Sequence, residues 1–348
     1  MSLLPLVANS WAFSERPIEV YEIQDLYSPF SQMTNEDPES LADALERSQL
    51  LYLIEGTRGD GKSCFLRFLA SSLYGSDVFT ILLDTFGNAD YSDPNTMAKW
   101  VIGAISRAIE IYDKVEDKTK KYVSELMARK VTFEKGSESS FSSKIGGWFS
   151  IIPQILRIEA SAGAEIKRIA NTIIEKEYFL DDRVACVNDL IDTITAETGF
   201  SNVTMLIDGV DHMNVVDVAQ FAKNNFPWLT KVRASICLTA LSKYRENAGY
   251  AAISECARIV KIPRIASVNG LKIFLNRRIS ALDPNVTWDN VCHEDATKLL
   301  FYWYNSKPEL ITLRTTLRSL NYAADKALHD GADQILPYHM AIGIKDSF

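Results

Sequence analysis

The residues best suited to chemistry are the eight at positions 56–63, which read Gly-Thr-Arg-Gly-Asp-Gly-Lys-Ser and fit the pattern G-x-x-x-x-G-K-[ST]. The three glycines let the backbone curl, so that its N–H groups converge on a phosphate. Lys62 is spaced to reach the β- and γ-phosphates of a nucleotide, and Ser63 can ligate Mg²⁺. The pattern predicts a phosphate-binding loop, or P-loop, with nucleotide contacts from Gly56, Thr57, Arg58, Gly59, Asp60, Gly61, Lys62, Ser63 and Cys64.

The segments on either side of this loop are those that a P-loop requires. An apolar run at 50–54 precedes it and predicts a buried strand, while residues 64–70 follow it with the periodicity of an amphipathic helix. A helix that begins at the loop turns its N-terminal dipole and free N–H groups toward a bound anion. The context therefore favours a nucleotide site over a glycine-rich turn that carries a solvated lysine.

A second acidic motif follows the apolar strand predicted at 203–208, which ends in Asp208. We expect this strand to lie next to the P-loop strand, where Asp208 would accept hydrogen bonds from water bound to Mg²⁺ beside Ser63. The predicted metal residues are therefore Ser63 and Asp208.

Strands and helices alternate over most of the chain, which predicts an α/β fold with a mostly parallel sheet covered on both faces. Further strands are expected at 78–84, 234–239 and 258–263. From residue 268 only helical patterns occur, which predicts a helical or winged-helix C-terminal lid. The expected domains are an N-terminal extension at 1–49, a P-loop domain at 50–265 with an insertion near 113–179, and a C-terminal domain at 266–348.

Composition excludes several classes of protein. With 348 residues, 47% hydrophobic and 24% charged, the chain has the balance of a water-soluble domain. Its five cysteines are scattered without metal-binding spacing, and the N-terminus does not resemble a signal peptide, so we expect a cytoplasmic protein without membrane association. The net charge is −8, yet residues 215–348 hold 17 Lys and Arg against 12 Asp and Glu. This excess is compatible with nucleic-acid contact, and solvated helix faces produce the same excess.

Together, the P-loop and Asp208-Gly209-Val210-Asp211 resemble the P-loop ATPases of the AAA+ and STAND kind, which include origin-recognition-type, NACHT-like and KAP-like ATPases. The resemblance implies that ATP and Mg²⁺ are the cofactors, that Asp208 is the magnesium-associated acid, and that Asp211 orients or deprotonates the attacking water. The chain departs from the family pattern at Gly209 and His212, since a glutamate usually follows one of the two aspartates.

The same resemblance implies roles for residues outside the two motifs. Thr239 or Ser242 would sense the γ-phosphate, and Arg314 or Arg318 would reach the nucleotide from the lid. Arg258 would act as an arginine finger in a neighbouring subunit of a homo-oligomer. Alternatively, Arg258 is a surface arginine at the end of a helix.

The predicted function is that of an ATP-Mg-dependent ATPase that acts as a conformational switch on a partner protein, for example in a bacterial defence or signalling module. The serine-rich stretch at 136–143 and the partly apolar stretch at 145–164 favour a protein partner. The alternative is a DNA-associated AAA+ loader or remodeller. A small-molecule kinase fits less well, because the C-terminal region is helical and Ser63 lies far from Asp208 in sequence.

Overall fold

The computed structural model describes residues 3–5, 12–13, 22–73, 76–84, 97, 101, 105, 178–210, 215–246, 250 and 255–347. The chain divides into two compact units. The first contains Met1–Ser40, Gly56–Phe68 and Lys261–Phe348, and the second contains Leu41–Glu55 and Leu69–Val260. Each unit is thus assembled from separate stretches of chain, whereas the predicted domains are consecutive, and those domain boundaries remain a prediction.

A five-stranded sheet forms the centre of the second unit, with its strands in the order β2-β3-β4-β1-β5. The strands are β1 Leu51–Gly56, β2 Val78–Asp84, β3 Asn202–Asp208, β4 Ser235–Leu241 and β5 Arg258–Lys261. β2 and β3 run parallel from the pair Val78 and Asn202, and β3 and β4 run parallel from the pair Thr204 and Ser235. The predicted strands are confirmed, with ends that differ by at most two residues.

One prediction about this sheet is wrong. The strand that ends at Asp208 is not next to the P-loop strand, because β4 lies between β1 and β3. The three strands are buried along their whole length, as expected of parallel strands covered on both faces. Equally apolar strands carry no sequence signal for their lateral order. Only β5, at the edge of the sheet, is largely exposed.

Buried polar contacts hold the sheet to the segment that precedes it. The side-chain amide of Asn202 donates to the carbonyls of Leu45 and Ser48, at 3.0 and 2.9 Å. The Ser235 hydroxyl donates to the Ser48 carbonyl as well. Two short helices, α1 (Ile23–Leu26) and α2 (Phe30–Met33), precede helix α3 (Leu41–Arg47) in the chain. The hydrogen bonds attach the end of α3 to the start of β3 and β4.

The remaining helices of the chain begin with α4 (Lys62–Ser72), α5 (Tyr178–Thr198) and α6 (Val215–Leu229). The C-terminal residues 262–347 form α7 Val268–Ser280, α8 Trp288–Val291, α9 Glu294–Ser306, α10 Leu313–His329 and α11 Pro337–Asp346. These residues are all described and contain no strand beyond the isolated bridge between Cys292 and Ile335. The C-terminal region is thus helical, and the β-wing of a winged helix is not present in it.

The C-terminal helices pack around buried aromatic and small residues. Trp288 is fully buried, and its indole N–H donates to the Thr297 hydroxyl at 2.8 Å. Helices α10 and α11 approach closely at Gly343, where an added Cβ would lie 2.8 Å from the Cβ of Ala323 and against the Ser319 carbonyl. In the part of the chain that the structure describes, no helix is long and apolar enough to cross a membrane. Of the predicted insertion near 113–179, residues 113–177 lie outside the described residues, and 178 and 179 begin helix α5.

Candidate nucleotide site

The P-loop has the strand–loop–helix context that the sequence predicts. β1 ends at Gly56, and α4 begins at Lys62, two residues before the predicted helix start. Between them, Gly59 and Gly61 both have φ of 97°, a left-handed conformation that side chains disfavour. The turn therefore depends on these two glycines, and it delivers Lys62 and Ser63 to the first turn of a helix, where anions are stabilised.

Lys62 is folded back over the start of the loop. Its ammonium donates to the carbonyl of Gly56 at 3.1 Å and to that of Thr57 at 3.0 Å, and the side chain is buried. A side chain at Gly56 would crowd this arrangement, since its Cβ would lie 3.3 Å from Ile262 Cβ and 3.6 Å from Lys62 Cγ. The loop thus holds a buried positive charge at its mouth that a phosphate can bind.

The N-terminus of α10 packs directly on the P-loop turn. The backbone N–H of Arg314 donates to the Gly59 carbonyl at 3.2 Å. A Cβ at Gly59 would lie 2.7 Å from the Thr312 hydroxyl and 3.1 Å from Arg314 Cβ. The structure therefore places Arg314, the predicted lid arginine, beside the loop, while Arg318 lies one turn further along the same helix. Contact between either residue and a nucleotide remains a prediction.

The side chain of Asp60 is directed at the C-terminal helices. Its carboxylate lies 3.6 Å from the guanidinium of Arg264, an ion pair longer than a hydrogen bond, and it accepts hydrogen bonds from the Thr57 side chain and the Leu313 backbone. Burial raises the pKa of Asp60 above its usual range, although Arg264, Lys62 and these hydrogen bonds act in the opposite direction.

Two groups beside the loop are not predicted by the sequence analysis. Arg264 is one, because it follows β5 without any motif that marks it. The other is the segment that contains Tyr27 and Phe30, which falls within the predicted N-terminal extension. Tyr27 stacks on Phe68 of α4 with ring centroids 4.5 Å apart, and Phe30 lies 4.0 Å from the position of a Cβ at Gly61.

A single carboxylate organises this N-terminal segment. Glu39 accepts hydrogen bonds from the Tyr27 hydroxyl at 2.9 Å and from the Phe30 backbone at 2.7 Å. Phe30 also packs edge-on against Phe65 of α4. The predicted N-terminal extension therefore includes residues that support the P-loop helix.

Asp208 lies at the carboxyl end of β3 in the second unit, whereas Lys62 and Ser63 belong to the first. The Asp208 side chain is buried and accepts a hydrogen bond from the Gly209 backbone at 2.9 Å. Its register partner on β2 is Asp84, so two acidic residues end adjacent parallel strands at the same level. Asp84 is a further residue that the sequence analysis does not single out.

The other predicted site residues vary in position and exposure. Thr239 is buried within β4, and Ser242 is exposed at the start of the short 3₁₀ helix Ser242–Glu246. Arg258 is exposed and is the first residue of β5. Asp211 and His212 lie outside the described residues, so their proposed part in hydrolysis remains a prediction.

A nucleotide-bound Mg²⁺ suits the oxygen donors of the two motifs. Among the described residues, no three His, Cys, Asp or Glu side chains form a metal cage. Mg²⁺ at a P-loop needs no such cage, since it takes most of its ligands from phosphates and water. The Ser63 hydroxyl and the Asp208 carboxylate belong to different units; each is of a donor type that Mg²⁺ accepts, and their binding of one metal remains a prediction.

Comparison with known proteins gives structural matches alone: no protein-family model and no curated protein matches the chain. The Aeropyrum pernix ORC2 protein, solved in ADPNP and ADP complexes, matches with a TM-score of 0.51 and 13% identity over 97% of this chain and 71% of that one. Cdc6p from Pyrobaculum aerophilum matches with a TM-score of 0.47 and 12% identity over 97% of this chain and 70% of that one. The Aeropyrum pernix ORC1 protein in complex with DNA matches with a TM-score of 0.43 and 12% identity over 97% of this chain and 68% of that one.

The match to the ORC2 protein shows a shared fold. This chain shares the αβα fold of that protein, with a mostly parallel sheet and a C-terminal helical region, and the predicted fold class is confirmed. The STAND, NACHT-like and KAP-like resemblances receive no support from these comparisons.

Proposed function

We propose that the chain binds ATP with Mg²⁺ at residues 56–63, hydrolyses it, and uses the difference between its nucleotide states as a conformational switch. The P-loop turn carries this proposal: two positive-φ glycines place a buried lysine at the start of α4, with its ammonium on loop carbonyls. The ADPNP and ADP complexes of the ORC2 protein, which has the same fold, support a nucleotide ligand.

The chain's own groups have distinct roles in this proposal. Backbone N–H groups of the loop surround the phosphates, and Lys62 exchanges its carbonyl partners for phosphate oxygens. Ser63 and Asp208 would hold Mg²⁺, which supplies charge neutralisation when bound. Because phosphoryl transfer needs positioning and electrostatic stabilisation rather than covalent help, no further nucleophile is required from the protein.

Hydrolysis also requires a group that orients water. Asp211 is the choice that the family resemblance supports, and Asp84 is a second choice that the register with Asp208 supports. Thr239 and Arg314 would respond to the γ-phosphate. Arg258, exposed on the edge strand, would complete the site of a neighbouring copy if the chain assembles.

The test is nucleotide binding and turnover by Lys62→Ala. Loss of the ammonium should weaken ATP binding at least about 100-fold, because a charge-assisted contact to the β- and γ-phosphates disappears. Lys298→Ala, on the exposed face of α9, is the matched control, since it removes a lysine that pairs with Glu294 and Asp295 of the same helix. Unchanged ATP affinity in Lys62→Ala would refute the site.

The partner of the switch is proposed to be a protein, with DNA as the second candidate. The stretch at 145–164 that favours a protein lies outside the described residues. The basic excess of residues 215–348 favours DNA. Binding to a DNA duplex that requires ATP and falls steeply with salt would support DNA, while salt-insensitive ATP turnover without any DNA affinity would eliminate it. Growth of the particle with ATP, lost in Arg258→Ala, would support assembly.

A further inference from the structure

Asp60 uses its side chain for a purpose other than nucleotide contact. It lies in the P-loop between Gly59 and Gly61, where only the backbone N–H is needed for phosphate. Its side chain is 5% exposed and reaches Arg264 and the first backbone N–H of α10, that of Leu313. A P-loop residue thus ties the nucleotide site to the C-terminal helices through a buried charge.

Arg264 is anchored on the opposite side by three backbone carbonyls. It donates to the carbonyls of Tyr304 at 2.6 Å, Ile311 at 2.9 Å and Pro308 at 3.0 Å, all from the end of α9 or the connection to α10. Its guanidinium also lies 4.0 Å above the ring of Tyr304. These contacts use the planar fork of arginine and could not all be made by lysine.

The start of α10 and the residues just before it are therefore bonded to Asp60, Arg264 and Gly59. Asp60 accepts from Leu313, Arg264 holds the Ile311 carbonyl, and the Arg314 N–H donates to Gly59. These contacts provide a direct route by which a displacement of the P-loop turn can act on this helix end.

The charges around the loop determine when the Asp60–Arg264 pair matters most. A triphosphate adds several negative charges near Lys62, and the Lys62 charge already acts on Asp60. Arg264 compensates the Asp60 carboxylate, which would otherwise repel the phosphates from a low-dielectric position. The pair therefore matters most when the loop holds an anion.

We infer that Arg264 is a positioning residue of the nucleotide site, which holds Asp60 so that occupancy of the P-loop is coupled to how firmly the start of α10 is held. This inference rests on the proposed ATP site. Coupling of this kind is reciprocal, so loosening α10 should also weaken the nucleotide.

The first test measures ATP affinity in single and double variants. Arg264→Gln should bind ATP about tenfold more weakly, because Asp60 loses its counter-charge. The double variant Asp60→Asn/Arg264→Gln should bind ATP within about threefold of Asp60→Asn alone, because the carboxylate that needs the counter-charge is absent from both. Arg264→Lys should retain most of the affinity, because it keeps the charge. A tenfold loss caused by Arg264→Gln in the Asp60→Asn background as well would overturn the inference.

A surface ion pair supplies the matched control. Arg233 and Asp192 pair at 2.7 Å with both side chains about half exposed. Arg233→Gln, Asp192→Asn and their combination should leave ATP affinity unchanged. Equal effects from the two pairs would show that the Arg264 result reflects general stability.

The second test uses amide hydrogen exchange over residues 311–317. Without nucleotide, amide exchange over these residues should be faster in Arg264→Gln than in the wild type, and slower in Arg264→Lys than in Arg264→Gln. In the wild type, saturating ATP should slow exchange at least about threefold, and this response should be lost in Arg264→Gln at saturation. Identical exchange in all variants without nucleotide would overturn the link itself. A wild type that binds no ATP would refute the proposed function instead, while the nucleotide-free comparison would still decide whether the link exists.

Discussion

Asp84 and Asp208 are register partners at the carboxyl ends of the adjacent parallel strands β2 and β3. This is the end of an open α/β sheet at which catalytic groups collect, and the backbone register places Asp84 level with Asp208 there. The departure of Gly209 and His212 from the family pattern makes this second acid relevant, because a glutamate is missing from both places where one is expected.

Asp84→Asn should therefore reduce ATP turnover about 10- to 100-fold while ATP affinity changes by less than about threefold, the pattern of a group that acts in the transition state. Turnover is followed as phosphate release and affinity by calorimetry. Asp192→Asn, on α5, is the control. Unchanged turnover in Asp84→Asn, together with loss in Asp211→Asn, would assign water activation to Asp211 alone.

Gly59→Ala should damage the loop in two ways. A residue at φ of 97° is strained, and its Cβ would meet the Thr312 hydroxyl at 2.7 Å. We expect a loss of about 2–4 kcal/mol in unfolding free energy, together with weaker ATP binding.

Gly331→Ala separates the two causes. Gly331 also has a positive φ, of 68°, but nothing lies within 4 Å of its Cβ position. Gly331→Ala should lower the unfolding free energy by about 1 kcal/mol, from backbone strain alone, and should not change ATP affinity. Equal destabilisation of the two variants, measured by urea unfolding, would mean that contact between the loop and α10 contributes nothing.

Gly343→Ala should be destabilising, although alanine is the better helix former by about 1 kcal/mol at ordinary positions. Gly343 lies inside α11, where an added methyl would press on the Ser319 carbonyl and lie 2.8 Å from Ala323 Cβ. We expect a net loss of about 1–3 kcal/mol, because the backbone of α10 cannot move aside. Thermal unfolding checks the sign, and an increase in Tm would show that the two helices are free to separate.

Acid should weaken the junction between α10 and α11. Hydrogen bonds from Lys326, His329 and Tyr338 hold the pKa of Asp330 well below its usual range, while burial lowers the pKa of His339, whose ring lies 3.6 Å from the same carboxylate. For a carboxyl whose pKa is lower in the folded state, the stabilisation is complete above the unfolded pKa and is lost as pH falls through the folded pKa.

Asp330→Asn should thus lower Tm at neutral pH. The difference in Tm between this variant and the wild type should narrow as pH falls below 4, toward the folded pKa of Asp330. The protonated form of His339 is also disfavoured by its burial, so the wild type itself should lose stability below about pH 6. Thermal unfolding between pH 3 and 7 measures both effects. A gap independent of pH would show that Asp330 acts through hydrogen bonds of its neutral form.

The sequence predicted what depends on local chemistry. The geometry of residues 56–63 follows from three glycines, a lysine and a serine, and the positions of the strands follow from apolar runs. The structure confirms the strand–loop–helix geometry and these strands. The lateral position of β4 could not be predicted, because the choice of neighbour depends on how equally apolar strands stack.

The contacts of Asp60 and Arg264 were missed for a related reason. An aspartate inside a P-loop and an arginine after a strand are ordinary solvent-exposed residues on sequence grounds, and only the fold shows that burial brings them together. Asp84 was missed because a lone acid after an apolar run is common, and it gains meaning only from its register with Asp208.

Helix α10 has 17 residues, so it spans about 25 Å from its first residue to its last. Its first turn is bonded to the P-loop, and its last turn reaches Asp330, which bonds with Tyr338 of α11. If the helix stays straight, a tilt of about 10° at the loop moves the far end by about 4 Å. A rearrangement of the P-loop turn smaller than one atomic diameter would in this way be enlarged to the size of a side chain, at a surface remote from the loop.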